Sequence, residues 1–513
     1  MPPIDRLDGT PVLKVEEREE ADKGEEKKAG RTRRLPMNKT KIVCTIGPSS
    51  SSPQVLADMI RSGMNVARVN FSHGTSDEHR KMIRSIRAVA TRLGRTVAIL
   101  VDLPGPKIRI GRLRLEPTIL KRGETITLTT DPASSNLTAI PVDYPDLPSL
   151  VTEGTTIYLN DGFLQVKVVR TSEQEVDAKV VIGGPLLSHK GLNLPGVALS
   201  IAAVTPEDLA HVDIGLDEGV DTFTISFLER PEDIRILREY AQKRGIKIHI
   251  VAKIERAGAV REIDAILAEA DAIMIARGDL GVQIPIEDVP GVQKQCILKA
   301  NRLGVPVITA TQMLESMTEN ILPTRAEVTD VANAILDGSD AVMLSAETAT
   351  GRYPVETVRM MAKIARSIEA QRTMLKGRSQ LEEVLLLTGI NRRELTVDDV
   401  VSLNVIQAMH ALSPRYILTP TRSGRAPRRI SRFKPDCWIL SFCRDQKVAE
   451  FLAFSYGVVP FFVKTDEASW HDRIFDLISD AGLAKTGDLV ILTEGSEPDL
   501  AGATNSLRII KFP

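Results

Sequence analysis

Short apolar runs alternate with amphipathic stretches over the first part of the chain. The runs have the length of strands and are nearly continuous, whereas the stretches between them, such as Pro231–Lys243, repeat apolar residues at helical spacing. Nearly continuous apolar strands are typical of parallel sheets covered by helices. The eight runs therefore predict a closed (β/α)8 TIM barrel in residues 39–105 and 201–372, with strands at Lys41–Ile46, Asn65–Ser72, Thr96–Leu103, Asp221–Leu228, Lys247–Glu255, Asp271–Asp279, Val305–Gln312 and Asp340–Thr348.

The alternation stops between Pro104 and Ile201. Helical spacing disappears there, and β runs punctuated by turn residues replace it, namely Glu124–Thr129, Thr155–Leu159, Phe163–Val169 and Glu175–Val181. We interpret residues 106–200 as a small β-barrel domain inserted after the third barrel strand. Loops at that end of such a barrel frame the active site, so the insertion is expected to act as a lid.

A second α/β series begins near Thr396. Five further strands predict a C-terminal open-sheet α/β domain in residues 396–513, joined to the barrel by a polar connector at 373–395. Residues 1–38 are rich in charge and poor in large apolar side chains, so they are expected to be disordered.

Composition narrows the classes of partner. The chain has 513 residues, 43% hydrophobic residues and a formal net charge of −1, which gives no reason to expect nucleic acid or a membrane as the main partner. The four cysteines form no metal-binding spacing and are expected to be reduced thiols. No apolar run is long enough to span a membrane and no signal peptide opens the chain, so a cytoplasmic protein is expected.

Charged residues end two neighbouring predicted strands. Lys253 and Glu255 lie two positions apart, and therefore on one face of a strand, while Asp279 ends the next strand. Carboxylate oxygens suit Mg²⁺ or Mn²⁺. An ammonium beside such a site suits phosphoryl or enolate chemistry, in which negative charge moves.

Charged and polar residues also occur at the ends of the other predicted strands, around the barrel rim. Polar residues end nearly every strand, and their coincidence at one rim predicts an active site there. They include Arg68, Asn70, Ser72 and His73, then Asp102, Ser226, Thr311, Gln312, Ser345 and Glu347.

The order of these motifs resembles the pyruvate kinase family. The resemblance covers residue 39 to the end and rests on Thr40–Pro48 (TKIVCTIGP), Met64–Gly74 (MNVARVNFSHG), Ala252–Glu255 (AKIE), Ala276–Gly281 (ARGDLG), Ala310–Ser316 (ATQMLES) and Leu344–Thr348 (LSAET). It implies phosphoryl transfer from phosphoenolpyruvate to ADP, giving pyruvate and ATP in glycolysis. It also implies a homotetramer.

The resemblance assigns roles within the barrel. Glu255 and Asp279 would hold the Mg²⁺ or Mn²⁺, Lys253 would neutralise the transferring phosphoryl group and Arg68 would clamp phosphate. The backbone N–H groups of Gly278 and Asp279 would hold the substrate carboxylate, and Thr311 would lie near the methylene carbon, with Ser345 or Glu347 on a proton route. The nucleotide side would be lined by Pro48, His73, Arg109 and Lys190, with Asp161 and Lys190 brought over it by the lid.

A departure from the pattern concerns potassium. Many family members bind K⁺ through residues that match Asn70, Ser72, Asp102 and the carbonyl of Leu103, and they carry an acidic residue where this chain has Lys107. A tethered ammonium can supply the positive charge that the acidic version takes from solution. We therefore predict that K⁺ is not required.

A loop in the C-terminal domain has the character of an anion cradle. It comprises Thr421, Arg422, Ser423, Gly424 and Arg425, and matching loops in the family hold the phosphate of an allosteric effector. The facing segment Thr493–Thr504 is acidic, which favours a monophosphate effector, or none, over fructose 1,6-bisphosphate.

Two alternatives stay open on the sequence alone. Another metal-dependent barrel of enolate chemistry, an aldolase or lyase, would share Glu255 and Asp279 but would not need Arg109, Lys190 or the lid. A catalytically silent sensor would work through the C-terminal domain. An assay of ADP-dependent pyruvate formation, with and without Mg²⁺ and K⁺, separates the three.

Overall fold

A computed structural model describes residues 35–131, 136, 138–160, 162–197, 202–376, 396–463, 470–495 and 504–513. The N-terminal extension lies outside the described residues except for 35–38, and so does the connector except for 373–376. Asp161, Ile201 and residues 496–503 of the acidic facing segment also lie outside them.

The barrel begins with three parallel strands. All six residues of the first strand are buried, as expected for a strand enclosed on both faces. A capping box between Thr75 and Glu78 starts the second helix. The elements are β1 Lys41–Ile46, α1 Pro53–Ser62, β2 Met64–Asn70, α2 Ser76–Arg92 and β3 Ala98–Asp102.

The inserted segment is a β domain with its own core. Alternate residues of its long strands, such as Val166 and Val168, are buried in one cluster. The described strands form a six-stranded sheet, in the order β11-β7-β8-β9-β5-β6, and a two-stranded ladder β10-β4. The elements are β4 Thr118–Leu120, β5 Thr125–Thr129, β6 Ile140–Pro141, α3 Leu147–Leu150, β7 Thr156–Leu159, β8 Leu164–Thr171, β9 Glu175–Ile182, β10 Gly184–Leu186 and β11 Leu192–Asn193.

The chain then returns to complete the barrel. The strand order β1-β16-β15-β14-β13-β12-β3-β2 is closed, which confirms the predicted TIM barrel. Short 3₁₀ turns lie at Ile286–Asp288 and Glu315–Thr318. The remaining elements are α4 Pro206–Asp217, β12 Thr222–Ile225, α5 Pro231–Lys243, β13 His249–Ile254, α6 Ala257–Arg261, α7 Ile263–Glu269, β14 Ala272–Ala276, α8 Arg277–Gln283, α9 Val289–Leu303, β15 Val307–Ala310, α10 Arg325–Asp337, β16 Ala341–Leu344, α11 Ala346–Ala349 and α12 Pro354–Lys376.

Several strands end earlier than the sequence predicted. The sixth strand was expected to continue to Asp279, but it ends at Ala276, and Asp279 lies in the first turn of α8. An acidic residue is favourable in a first helical turn because the N-terminal N–H groups carry partial positive charge. The predictions through Gln312 and Thr348 were also too long, because β15 ends at Ala310 and β16 at Leu344.

The C-terminal domain is an open five-stranded sheet in the order β19-β18-β17-β20-β21, with β21 antiparallel to β20. This confirms the predicted α/β domain. Its elements are α13 Val397–Leu412, β17 Tyr416–Thr421, α14 Arg425–Ser431, β18 Trp438–Cys443, α15 Gln446–Phe451, β19 Val458–Phe462, α16 Trp470–Asp480, β20 Leu489–Gly495 and β21 Thr504–Lys511.

This domain covers the amino end of the barrel. Phe451, Ala453 and Phe454 join the buried cluster formed by inward-facing barrel residues. The ring of Phe451 stacks on His249 with centroids 4.0 Å apart. The chemistry is therefore left to the opposite, carboxyl end of the strands. Within the described ranges, none of the helices combines the length and the apolarity needed to cross a membrane.

Candidate active site

Lys253 lies at the centre of the polar groups on the carboxyl rim. Its Nζ is 2.7 Å from Glu255 Oε1 and 3.5 Å from Asp102 Oδ1, and it donates a hydrogen bond of 2.9 Å to Ser226 Oγ. Burial would lower the pKa of Lys253, but the charges of Asp102 and Glu255 raise it above its ordinary value. The side chain is therefore an ammonium held between two carboxylates.

Arg68 is held by its own neighbours. Its Nε donates to Asp102 Oδ2 at 2.7 Å, its second amino group also bonds that carboxylate, and its first donates to Thr45 Oγ1 at 2.8 Å. Thr224 donates to the other oxygen of Asp102. Burial would raise the pKa of Asp102, but the charges of Arg68 and Lys253 and these hydrogen bonds lower it to about 2. Asp102 thus fixes the two cations of the site.

Glu255 has the properties of a cation ligand. The carboxylate is fully buried, and its Oε2 accepts the backbone N–H of Phe227 at 2.8 Å. Its Oε1 contacts the ammonium of Lys253 at 2.7 Å and has no other hydrogen-bond partner among the described residues. Burial raises the pKa of Glu255, and the nearby charge of Asp279 raises it further, against the opposing charge of Lys253.

The buried carboxylate of Glu255 and the half-buried carboxylate of Asp279 repel each other, and such a pair fits a divalent cation placed between them. Among the described residues, no group of three or more His, Cys, Asp and Glu side chains is arranged as a metal site. A hard cation held by one or two carboxylates, with substrate and water oxygens as its other ligands, is the usual arrangement for Mg²⁺. Glu255 and Asp279 therefore fit the predicted metal.

Thr311 follows β15 and is hydrogen-bonded to the first turn of α8. Its hydroxyl accepts the backbone N–H of Gly278 at 2.8 Å and donates to the carbonyl of Ala310 at 2.7 Å. Thr311 has φ of 68°, in the left-handed region that a β-branched residue rarely adopts. Arg277 holds this backbone by donating to the carbonyl of Thr311 at 2.7 Å. Strained conformations of this kind persist at functional sites where the surroundings enforce them.

Ser345 and Glu347 follow β16. Glu347 is fully buried and accepts the backbone N–H groups of Ser345 at 2.6 Å and Leu314 at 3.2 Å. Burial raises the pKa of Glu347. Both carboxylate oxygens therefore support the loops that follow β15 and β16.

The nucleotide-side residues predicted from resemblance lie on four segments of the chain, two of them in the lid. Arg109 donates to the carbonyl of His189 at 3.0 Å, and the carbonyl of Lys190 accepts Ile110 N–H at 2.9 Å, which joins the two lid segments. Burial lowers the pKa of His73, and the charges of Arg109, Lys107 and Arg68 lower it further. These cations thus lie within electrostatic range of one imidazole. Pro48 is exposed in the loop after β1.

The residues of the predicted monovalent-cation position end β2 and β3. Asn70 is in register with Asp102, and the Asn70 amide oxygen accepts Ser72 N–H at 3.2 Å. The carbonyl of Leu103 accepts the hydroxyl of Ser226 at 2.7 Å.

A cleft of about 1050 Å³ lies between the rim and the inserted domain. Lys107, Gly278 and Asp279 line it together with Phe163 of the inserted domain. Gly162 has φ of 94°, and a Cβ there would lie 2.9 Å from Val282 of α8. The insertion therefore lies against the rim, where a lid was expected.

Four contributors were given no role by sequence reasoning: Thr45 and Thr224 were not singled out, and Ser226 and Arg277 were noted only as residues near strand ends. Each makes a hydrogen bond to a predicted site residue or its backbone. Thr224 and Ser226 form an alternating polar pair within an apolar strand, a pattern that could have drawn attention to them. Arg277 was noted within its motif, but no role was given to it.

The predicted effector loop joins β17 to α14. Gly424 has φ of 71°, and its N–H is donated to Thr421 Oγ1 at 3.0 Å. Arg425 forms an ion pair of 3.0 Å with Asp398 of α13. An anion at this loop would have to compete with that carboxylate for Arg425.

Comparison with known proteins gives consistent matches over both large domains. Residues 37–358 match the family model described as pyruvate kinase, barrel domain, and residues 399–510 match pyruvate kinase, alpha/beta domain. The chain is 49% identical over 479 residues to a pyruvate kinase of Thermococcus litoralis, covering 93% of this chain and all (100%) of the relative. It is 41% identical to a pyruvate kinase of Geobacillus stearothermophilus, covering 92% of this chain and 80% of the relative. It is 38% identical to a pyruvate kinase of Thermotoga maritima, covering 93% and 100% respectively.

Proposed function

The chain belongs to the pyruvate kinase family, and on that premise we propose how its residues divide the transfer of a phosphoryl group from phosphoenolpyruvate to ADP. The observation that supports the proposal best is the contact of Lys253 with Glu255 and Asp102 at the carboxyl rim. The test is ADP-dependent pyruvate formation by the purified protein, followed with a coupled assay. Absence of turnover with Mg²⁺ present would favour the silent sensor.

We propose that Glu255 and Asp279 hold the divalent ion on which the family depends, as Mg²⁺ or Mn²⁺. When bound, the ion supplies positive charge to the oxygens of the reacting groups. The burial of Glu255 and the repulsion between the two carboxylates support this assignment.

Lys253 and Arg68 balance negative charge on the reacting groups in addition to the metal. Lys253 is fixed by Asp102 and Glu255, so its ammonium meets the transferring phosphoryl group without costly reorganisation. Arg68 clamps phosphate while Asp102 keeps its guanidinium in one orientation. At the start of α8, where backbone N–H groups carry partial positive charge, the N–H of Gly278 is donated to Thr311 Oγ1, so we assign the substrate carboxylate to the N–H of Asp279.

The nucleotide side is assigned to Pro48, His73, Arg109 and Lys190. The position of the inserted domain against the rim supports this, because its backbone carries Arg109 and Lys190 on paired segments. Closure of such a lid excludes water from the transfer step. An aldolase or lyase would not need these groups, and the family matches favour the kinase.

Replacing Thr311 by alanine is expected to slow protonation of the enolate at least about tenfold more than phosphoryl transfer. A positioned proton donor contributes to protonation and not to phosphoryl transfer. Exchange of the pyruvate methyl hydrogens with solvent reports on proton transfer, and single-turnover experiments report on phosphoryl transfer. Thr311→Ser keeps the hydroxyl that bonds Gly278 N–H and is the control. Equal slowing of both steps in Thr311→Ala would refute the proton role.

The protein is expected to be fully active in sodium or Tris buffers without added K⁺. In Lys107→Gln the tethered charge is lost, so activity without K⁺ is expected to fall about tenfold, equivalent to roughly 1.4 kcal/mol, and to recover when K⁺ is added. Lys294→Gln removes a lysine from the same cleft and should show neither effect. A requirement for K⁺ in the unaltered protein would contradict the proposal.

For the C-terminal domain we propose a monophosphate effector, or none, at Thr421, Arg422, Ser423, Gly424 and Arg425. The ion pair of Arg425 with Asp398 supports weak rather than strong anion binding there. The homotetramer implied by resemblance also stays a proposal.

A further inference from the structure

His79 lies beneath the loop that joins β2 to α2. Its Nε2 is 2.8 Å from the backbone carbonyl oxygen of His73, and the ring is only 3% exposed. His79 does not stand out in the sequence, because it occupies the inward face of an amphipathic helix. Its partner, however, is the backbone of a residue assigned to the nucleotide side.

The contact decides which ring nitrogen of His79 carries a proton. A carbonyl oxygen can only accept a hydrogen bond, so Nε2 of His79 must carry the proton. Its Nδ1 is buried and has no hydrogen-bond partner among the described residues. The bond to the His73 carbonyl is therefore the hydrogen bond that this imidazole makes with the described part of the chain.

Packing holds the ring in place for that bond. Phe71 stacks on His79 with centroids 3.9 Å apart and an interplanar angle of 17°. His211 approaches Phe71 edge-on at 5.2 Å. The backbone N–H of Phe71 in turn bonds the carbonyl of Asp102 at 3.0 Å. The stack thus ties the loop to the strand that carries the anchor of Arg68 and Lys253.

The loop has to turn sharply at this point. Gly74 has φ of 94°, and a Cβ there would lie 3.4 Å from Nε2 of His79 and 3.2 Å from Glu78 Oε2. Glu78 Oε2 also accepts the N–H of Thr75 at 2.7 Å. The helix start therefore holds the loop on both sides of the turn.

We propose that His79 is a positioning residue for the nucleotide side, which holds the His73 carbonyl so that the His73 imidazole keeps its place in the loop after β2. The inference rests on the proposed nucleotide role of His73. It assigns to His79 no contact with substrate. Its effect acts through the loop Asn70–Gly74 and is expected on ADP rather than on phosphoenolpyruvate.

Steady-state kinetics of two variants test the proposal. His79→Phe keeps the flat ring on Phe71 but lacks the donor, and it is expected to raise KM for ADP about tenfold while KM for phosphoenolpyruvate changes less than about twofold. His79→Gln can place an amide N–H near the position of Nε2 and is expected to restore KM for ADP. His211→Phe is the matched control, because His211 shares the aromatic cluster but has no bond to His73.

Equal KM for ADP in His79→Phe and the unaltered protein would overturn the proposal. A similar rise in His79→Gln or in His211→Phe would also overturn it, because a general packing defect would then explain the result. If His79→Phe does not fold, His79→Asn, whose shorter amide cannot reach the carbonyl in the same way, takes its place. His73→Asn tests the premise separately. If KM for ADP is unchanged in this variant, the nucleotide role of His73 is wrong. If KM for ADP rises in His73→Asn but not in His79→Phe, only the role of His79 is wrong.

Discussion

Replacing Lys253 by methionine is expected to lower kcat on the order of a thousandfold, while the protein remains folded. Removing one preorganised charge-stabilising group from an active site typically costs about 10²–10³ in rate, and this ammonium is fixed by two carboxylates before substrate binds. Loss of the cation also leaves Glu255 buried without its opposing charge, so a destabilisation of about 3–5 kcal/mol accompanies the loss of rate. Coupled assays and denaturant unfolding measure the two effects.

Lys41→Met is the control for this variant. Lys41 is a buried lysine on another barrel strand, but it lies at the amino end and donates to the carbonyl of Val458 at 2.6 Å. Burial lowers the pKa of Lys41 to about 8, although the charges of Glu369 and Asp340 act to raise it. Lys41→Met should change stability and leave kcat nearly unchanged. A Lys253→Met enzyme with kcat within tenfold of the unaltered protein would contradict the assigned role.

Replacing either proposed metal ligand by its amide is expected to raise the Mn²⁺ or Mg²⁺ concentration needed for half-maximal activity about a hundredfold. Glu255→Gln and Asp279→Asn each keep the shape of the side chain and remove one of the two anionic ligands that a hard cation prefers. Titration of Mn²⁺ binding by electron paramagnetic resonance gives a readout that does not depend on turnover.

Asp330→Asn is the matched control for the metal variants. Asp330 lines the same cleft, but its carboxylate is paired with Arg277 at 2.7 Å. This variant should leave Mn²⁺ affinity within about twofold of the unaltered protein. Unchanged Mn²⁺ affinity in both Glu255→Gln and Asp279→Asn would show that the ion is held elsewhere.

The pair Lys253 and Glu255 shows how far sequence reasoning reached. Their spacing placed both on one face of a strand, and the structure brings their charged atoms to 2.7 Å. Asp279 was placed on a strand end, whereas it lies in the first turn of a helix. The distinction matters because a helix start also turns backbone N–H groups toward the rim.

Asp102 shows what the sequence could not provide. The only role assigned to it was a match to the family's monovalent-cation position, where Lys107 was predicted to replace the ion, yet it anchors Arg68 and lies 3.5 Å from Lys253. These contacts join residues of separate strands, and so they depend on barrel register and strand order. The left-handed backbone of Thr311 is likewise invisible in the sequence, because threonine rarely adopts it without tertiary support.

The sequence by itself determined the architecture, because burial on both faces of a strand requires a continuous apolar run, and burial of one helix face requires apolar residues at helical spacing. It also indicated which polar residues lie at the carboxyl rim, although several strands end before those residues. Only the tertiary structure decided which of those residues meet: Ser226 with Lys253, Thr224 with Asp102 and Thr311 with Gly278. Periodicity is a local property of the chain, whereas a hydrogen bond between strands depends on closure of the whole barrel.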